Sequence, residues 1–253
     1  MSRRVDLNAD LGEGFGAWRL GDDEALLDVI SSANVACGFH AGDPSTLART
    51  VALAARRGVR VGAQVSYPDL VGFGRRRMDV QADDLTADVL YQIGALHAFC
   101  KASGTRVSYV KPHGALYNRI VDDDVQARAV VEAIVRWNDD LPLVTLEQSV
   151  AAEVAEAAGV RVVSEAFADR AYTSNGRLVD RRDADAVLTD PVEISTRVVR
   201  MVRDGVVRAI EGVDVTIHAD SICVHGDTRD AVAIARAVRG ALESNDVTLQ
   251  PWQ

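Results

Sequence analysis

The sequence predicts a single α/β domain, a parallel β/α barrel of seven strands. Three observations lead there: a length of 253 residues suits one barrel, short β-branched runs alternate with longer segments of helical period, and polar residues gather just beyond those runs. The runs that read as strands lie at 4–7, 34–37, 60–63, 106–110, 143–146, 161–164 and 221–224. Between the second and third, Asp43-Pro44-Ser45 reads as a helix N-cap with proline at the first helical position. Leu47, Val51 and Ala54 mark that helix's buried side, and Gly58 closes it. The next helix carries Leu85, Val89, Ile93, Leu96 and Cys100, recurring every three or four residues, and stops near Gly104. Further helices are expected at 192–202 and 231–242, while 173–189 lacks a clear period and reads as an excursion such as a short hairpin. No repeat, low-complexity tract or linker divides the chain, so 1–253 is expected to be one domain.

Composition limits the function classes. With 48% hydrophobic and 26% charged residues the chain can bury a sizeable core. A formal charge of −9 repels phosphate backbones and anionic lipid, which argues against nucleic acid and membrane as partners. A small anionic substrate is still allowed, because a site's local field need not share the sign of the whole. Cys37, Cys100 and Cys223 are odd in number and form no CxxC, which fits neither a disulfide framework nor a zinc knuckle and points to the reducing cytoplasm. The N-terminal stretch MSRRVDLNAD leads into no apolar run, and no stretch approaches the roughly 20 apolar residues of a spanning helix.

In parallel α/β folds the carboxyl ends of the strands build the active site, so the residues there are the candidates. They are Asn8, Asp10 and Glu13 after the first strand, His40 after the second, Gln64 after the third, Lys111 and His113 after the fourth, Asp169 and Arg170 after the sixth, and His225 after the seventh. Three of the five histidines stand near strand ends within two residues of a glycine, where backbone can approach a ligand closely. The bland reading of each is a ring bonded to a neighbouring carbonyl, and of Lys111 a solvated surface amine. Asp43 is explained by capping, and His97 and His218 read as structural or surface groups. The run Gly72-Phe73-Gly74-Arg75-Arg76-Arg77 resembles an anion loop but reads more simply as a solvated charged face. Neither a GxxxxGK[ST] phosphate loop nor a GxSxG elbow occurs, which leaves acid–base hydrolysis by carboxylates and imidazoles, with a metal unassigned.

Several segments in one order resemble the LamB/YcsF family: VDLNADLGEGFG at 5–16, SSANVACGFHAGDP at 31–44, YQIGAL at 91–96, VKPHGALYN at 110–118, EAFADRAY at 165–172 and VHGD at 224–227. The resemblance implies a seven-stranded β/α barrel similar to the glycoside hydrolase and deacetylase group. It also implies hydrolytic opening of 5-oxoproline to L-glutamate, with ATP consumed by a complete complex that includes 5-oxoprolinase subunits B and C. In that scheme Asp10 or Glu13 orients or deprotonates water, His40 and His113 are acid–base groups or ligands, and Lys111 steadies negative charge. Asn8, Gln64, Asp169, Arg170 and His225 would bind substrate. One departure is Gln64, where many members have histidine; an amide is a poor metal ligand beside an imidazole. Two alternatives stand beside this reading: a stand-alone metal-dependent deacetylase or carbohydrate hydrolase, and a non-catalytic binding protein that only docks the enzyme.

Overall fold

The computed structural model describes residues 3–137, 140–228 and 230–252; Met1 and Ser2 of the N-terminal stretch read above lie outside them. Strands β1 (Arg3–Leu11), β2 (Ser32–Ala36), β3 (Arg60–Val65), β4 (Val107–Pro112), β5 (Leu143–Thr145) and β6 (Val162–Phe167) follow one another in parallel. After β6, β7 (Val206–Arg208) and β8 (Asp214–Thr216) leave the ring as an antiparallel hairpin. β9 (Ser221–Val224) then pairs with both β6 and β1 and closes a seven-stranded barrel. β10 (Val247–Leu249) pairs with Arg3–Val5, the part of β1 that precedes its pairing with β9. The ring matches the seven expected strands, and the hairpin and β10 are additions.

Around it run α1 (Asp23–Leu27), α2 (Pro44–Arg57), α3 (Ala82–Ala102), α4 (Gly114–Ile120), α5 (Asp124–Trp137), α6 (Val150–Ala157), α7 (Pro191–Asp204) and α8 (Ala231–Glu243). The Asp43 carboxylate accepts from the Ser45 and Thr46 amides at the start of α2, and Gly58 ends it at φ 66°, a left-handed cap that glycine adopts without strain. Among the described residues no helix is long and apolar enough to cross a membrane. The expected excursion holds two isolated antiparallel bridges, Tyr172 with Leu178 and Arg170 with Val187, rather than a regular hairpin.

The strand ends need correction. The polar residues after position 7 suggest that β1 stops there, yet it continues to Leu11. Side chains alternate across a strand: Leu7, Ala9 and Leu11 join the core shared with the helices, while Asp6, Asn8 and Asp10 enter the barrel axis. For the same reason Gln64, Lys111 and Glu165 lie within β3, β4 and β6 and not in the loops after them. The axis is a hydrogen-bonded column. Asp6 accepts from Ser31 and Ser32 at 2.6 and 2.7 Å and also from Ser221. Asn8 donates to Ser221 (2.7 Å) and Glu165 (3.0 Å), and Asn34 donates to Asn8 (2.7 Å) and Asp10 (2.9 Å). Each partner offsets a desolvation penalty that an unpaired buried polar group would carry in full.

Candidate active site

At the carboxyl end of the barrel the column opens into a cavity of about 1070 Å³. Asp10, Lys111, His113, Arg170 and His225 line it, whereas Asn8, Glu13, His40, Gln64 and Asp169 stand behind its wall. Eight of the ten predicted residues form three groups, Asn8 belonging to the axis below and Arg170 to the neighbouring excursion.

The first group is ionic. Lys111 Nζ lies 2.7 Å from Asp10 Oδ1, 3.5 Å from Glu165 Oε1 and 3.2 Å from Cys223 Sγ. At 2% exposure Lys111 is not the solvated surface amine of the bland reading. Burial works to strip its proton, but the Asp10 carboxylate, with Cys223 and Glu165, outweighs burial and holds the ammonium charged. Burial likewise works to raise the Asp10 carboxyl, and Lys111 reverses this and holds it well below the ordinary range.

The second group is neutral and centres on Gln64. Its amide nitrogen donates to Glu13 Oε1 at 2.9 Å and to His113 Nδ1 at 3.0 Å, and its oxygen lies 3.3 Å from His40 Nε2. His113 Nε2 faces the Phe73 carbonyl at 3.0 Å, so that nitrogen carries the proton and Nδ1 accepts from the amide. Burial lowers His40 to about 4 and His113 well below its usual value, keeping both rings neutral. Burial and then Asp10 push the Glu13 carboxyl well up. The imidazoles stack at 4.1 Å. The Gly72–Arg77 run folds over them: Gly74 has φ +68°, and a Cβ there would meet Ser66 Oγ at 2.4 Å and His40 Cβ at 2.9 Å, so only glycine fits. Arg75 and Arg76 of that run pair with Asp227 and Asp69.

Glu13, His40 and His113 place one ligand atom each within 4.8 Å of one another, a donor set suited to a divalent cation. The Gln64 amide, however, already bonds all three residues from the midst of the set. As folded, that amide engages one atom of each donor residue while His40 Nδ1 is buried without a partner, and no chemical step is assigned to a metal.

The third group is a histidine–carboxylate pair. His225 Nδ1 lies 2.8 Å from Asp169 Oδ1, and Thr228 donates to Asp169 Oδ2 at 2.8 Å. Burial opposes ionisation of Asp169, but His225 and Thr228 outweigh it and hold the carboxyl low. A carboxylate on Nδ1 fixes the tautomer that leaves Nε2 as the acceptor. Arg170 is occupied elsewhere: its guanidinium donates to the Val179 and Ala186 carbonyls and ties down the excursion. Phe167 joins the groups, stacking on His225 at 5.5 Å, meeting Tyr117 edge-on at 5.4 Å and lying 5.5 Å from Lys111 Nζ.

Sequence reasoning passed over Asn34, Phe73, Tyr117, Phe167, Cys223 and Thr228 as site residues. Asn34 had a signal, being polar within a run otherwise suited to a strand. Tyr117 had one too, following His113 by one helical turn.

Comparison with known proteins fits this geometry. The LamB/YcsF family model matches residues 5–253. A 5-oxoprolinase A-subunit from Pseudomonas syringae pv. tomato is 57% identical over 250 residues, covering 99% of this chain and 98% of its own. Among solved structures, the Lactam Utilization Protein from Thermus thermophilus gives a TM-score of 0.93 at 47% identity, covering 98% of this chain and 100% of that one. A family 4 carbohydrate esterase from Streptomyces lividans gives 0.52 at 11% identity over 98% and 91% of the two chains. That likeness concerns the fold alone, and it bears out the expected similarity to the deacetylase group. With a family match over nearly its whole length and a full-length relative at 57% identity, the chain belongs to the LamB/YcsF family.

Proposed function

We propose that this chain is the ring-opening component of an ATP-dependent 5-oxoprolinase, hydrolysing 5-oxoproline to L-glutamate together with subunits B and C. The observation that carries the reading is the buried Asp10–Lys111 pair on the wall of a cavity that also presents His225. A charged ammonium in a low-dielectric site stabilises the oxygen of a lactam as it gains negative charge, a type of interaction commonly worth about 10²–10³ in rate. His225, oriented by Asp169, takes a proton from the attacking water. His113 and its amide-bonded neighbours hold the adjoining wall. Arg177, Arg181 and Arg182 also line the cavity, but they pair with Asp122, Asp227 and Asp180, so a substrate carboxylate would compete with those partners for them. Without a phosphate loop in the sequence, ATP is assigned to the complete assembly. The three free, buried cysteines accord with a cytoplasmic enzyme.

The Glu13–His40–His113 donors favour one second reading, metal-dependent deacetylation without ATP. A single assay separates the two. Glutamate release and ATP consumption are measured with the chain alone and with both partners. Coupled turnover only in the full set is expected; robust nucleotide-free turnover by the chain alone would sink the proposal.

A further inference from the structure

Breaking a lactam C–N bond requires a proton for the departing nitrogen, since an amide anion is too basic to leave unaided. In the scheme above His225 is the base and Lys111 the oxyanion partner, and no group is assigned as the acid for that nitrogen. Two buried groups fill that place. Tyr117, one turn into α4, lines the cavity and is 3% exposed. Glu165, on β6, is 1% exposed and shares its Oε1 between the Asn8 amide and Lys111. The Tyr117 hydroxyl and the other Glu165 oxygen, Oε2, are both buried, and the contact between the two side chains is looser than a well-formed hydrogen bond. Yet they are neighbours, close enough that each bears on the other's proton. A polar pair held this loosely at a cavity wall asks for an explanation, because it forgoes part of what a well-formed buried hydrogen bond contributes.

We infer that Tyr117 is the catalytic acid that protonates the leaving ring nitrogen, and that Glu165 is the positioning residue that returns a proton to it. This rests on the function proposed above. Water forms the new C–O bond at the ring carbonyl carbon and gives a proton to His225. The C–N bond breaks with its electron pair going to nitrogen, which takes the Tyr117 hydroxyl proton. The proton taken up by His225 returns through solvent to the Glu165 carboxylate, which passes it to the Tyr117 oxygen, so that every group ends in its starting state. Burial raises the Glu165 carboxyl, Asp10 adds to that, and Lys111 and the hydrogen bonds from Asn8 and Tyr117 work against it, a net rise that suits the group to take up a proton and hand it on. The Phe167 ring, against Tyr117 on one side and His225 on another, brings acid and base to the same wall.

The test uses the complete assembly with 5-oxoproline and ATP. Tyr117→Phe deletes only a hydroxyl whose contact with Glu165 is loose, so the melting temperature should fall little. The expected result is a fall in kcat of about 10²-fold or more with KM within about twofold, the range for a lost general acid. The ¹⁵N isotope effect on the ring nitrogen should rise as C–N cleavage becomes limiting. Glu165→Gln should lower kcat and raise the same isotope effect, a readout that a packing role would not move. Near-full kcat in Tyr117→Phe, or a loss confined to KM or melting temperature with no change in isotope effect, overturns the inference while leaving the proposed function standing. No coupled turnover by the wild-type assembly overturns both.

Discussion

Two neighbouring clusters share one barrel mouth but solve burial in opposite ways. Around Asp10 a full negative charge is matched by a full positive one, Lys111, 2.7 Å away. Around Gln64 the charges are removed instead: the imidazoles are neutral, the Glu13 carboxyl is pushed up, and an amide bridges them. The ionic cluster keeps a strong field aimed at the cavity but depends on both partners. The neutral cluster gives up the field and gains tolerance, because losing one hydrogen bond strands a dipole and not a charge.

The largest expected effect breaks the ionic side. Lys111→Ala leaves the Asp10 charge buried and unpaired, which should lower stability by about 3–5 kcal/mol and turnover by about 10²–10³. Gln64→Ala should cost about 1–3 kcal/mol. Denaturant unfolding of both variants, with glutamate release in the complete assembly, measures the gap; equal losses would erase the distinction. His97→Ala, on a helix and against Trp137, is the control with no expected effect on turnover.

A second experiment tries to convert the neutral cluster. Gln64→His replaces the bridging amide with a ligand-competent ring beside Glu13, His40 and His113, and should create tight binding of about one divalent zinc per chain. Wild-type protein purified without added metal should hold far less. Elemental analysis after dialysis decides, and stoichiometric zinc in wild type that disappears in His40→Ala would reverse this reading of Gln64.

The smallest effect concerns pH. His40 sits at about 4 in the folded chain, below the ~6.5 of an unfolded histidine, so the unfolded state binds the proton first. The stability it contributes is whole above about pH 6.5 and is lost as pH falls toward 4, by on the order of 1–3 kcal/mol. Glu13, whose folded value is raised, acts in the opposite direction over its own range. Melting curves of wild type and His40→Gln between pH 7 and 5 isolate the histidine; parallel curves would count against a neutral ring.

Much of this was legible in sequence where a single signal sufficed. Alternating runs give the ring, Asp43-Pro44 gives a helix start, and His40, His113 and His225 gather at strand ends. What was not legible depends on partners far apart in the chain. Asn8 and Asp10 read as loop residues because polarity normally marks a strand's end, and only the barrel axis makes a buried polar alternation favourable. Arg170 looked like a substrate group, but its donors go to carbonyls of a segment whose path no periodicity reveals. That Asp169 serves His225, and that Glu165 lies beside Tyr117, follows from ring closure.

Closure also sets a timetable. Asp6 on β1 receives one of its hydrogen bonds from Ser221, 215 positions later, and Arg3 pairs with Val247. At ~5–20 residues per second on the ribosome, β1 waits on the order of ten seconds or more before the strand that completes its pairing has been made. During that interval the first strand offers an open edge and a half-built polar axis, the kind of surface that recruits chaperones or aggregates. The late-made strands β9 and β10 are therefore where truncated or slowly translated chains should fail, for want of a partner that has not yet been synthesised.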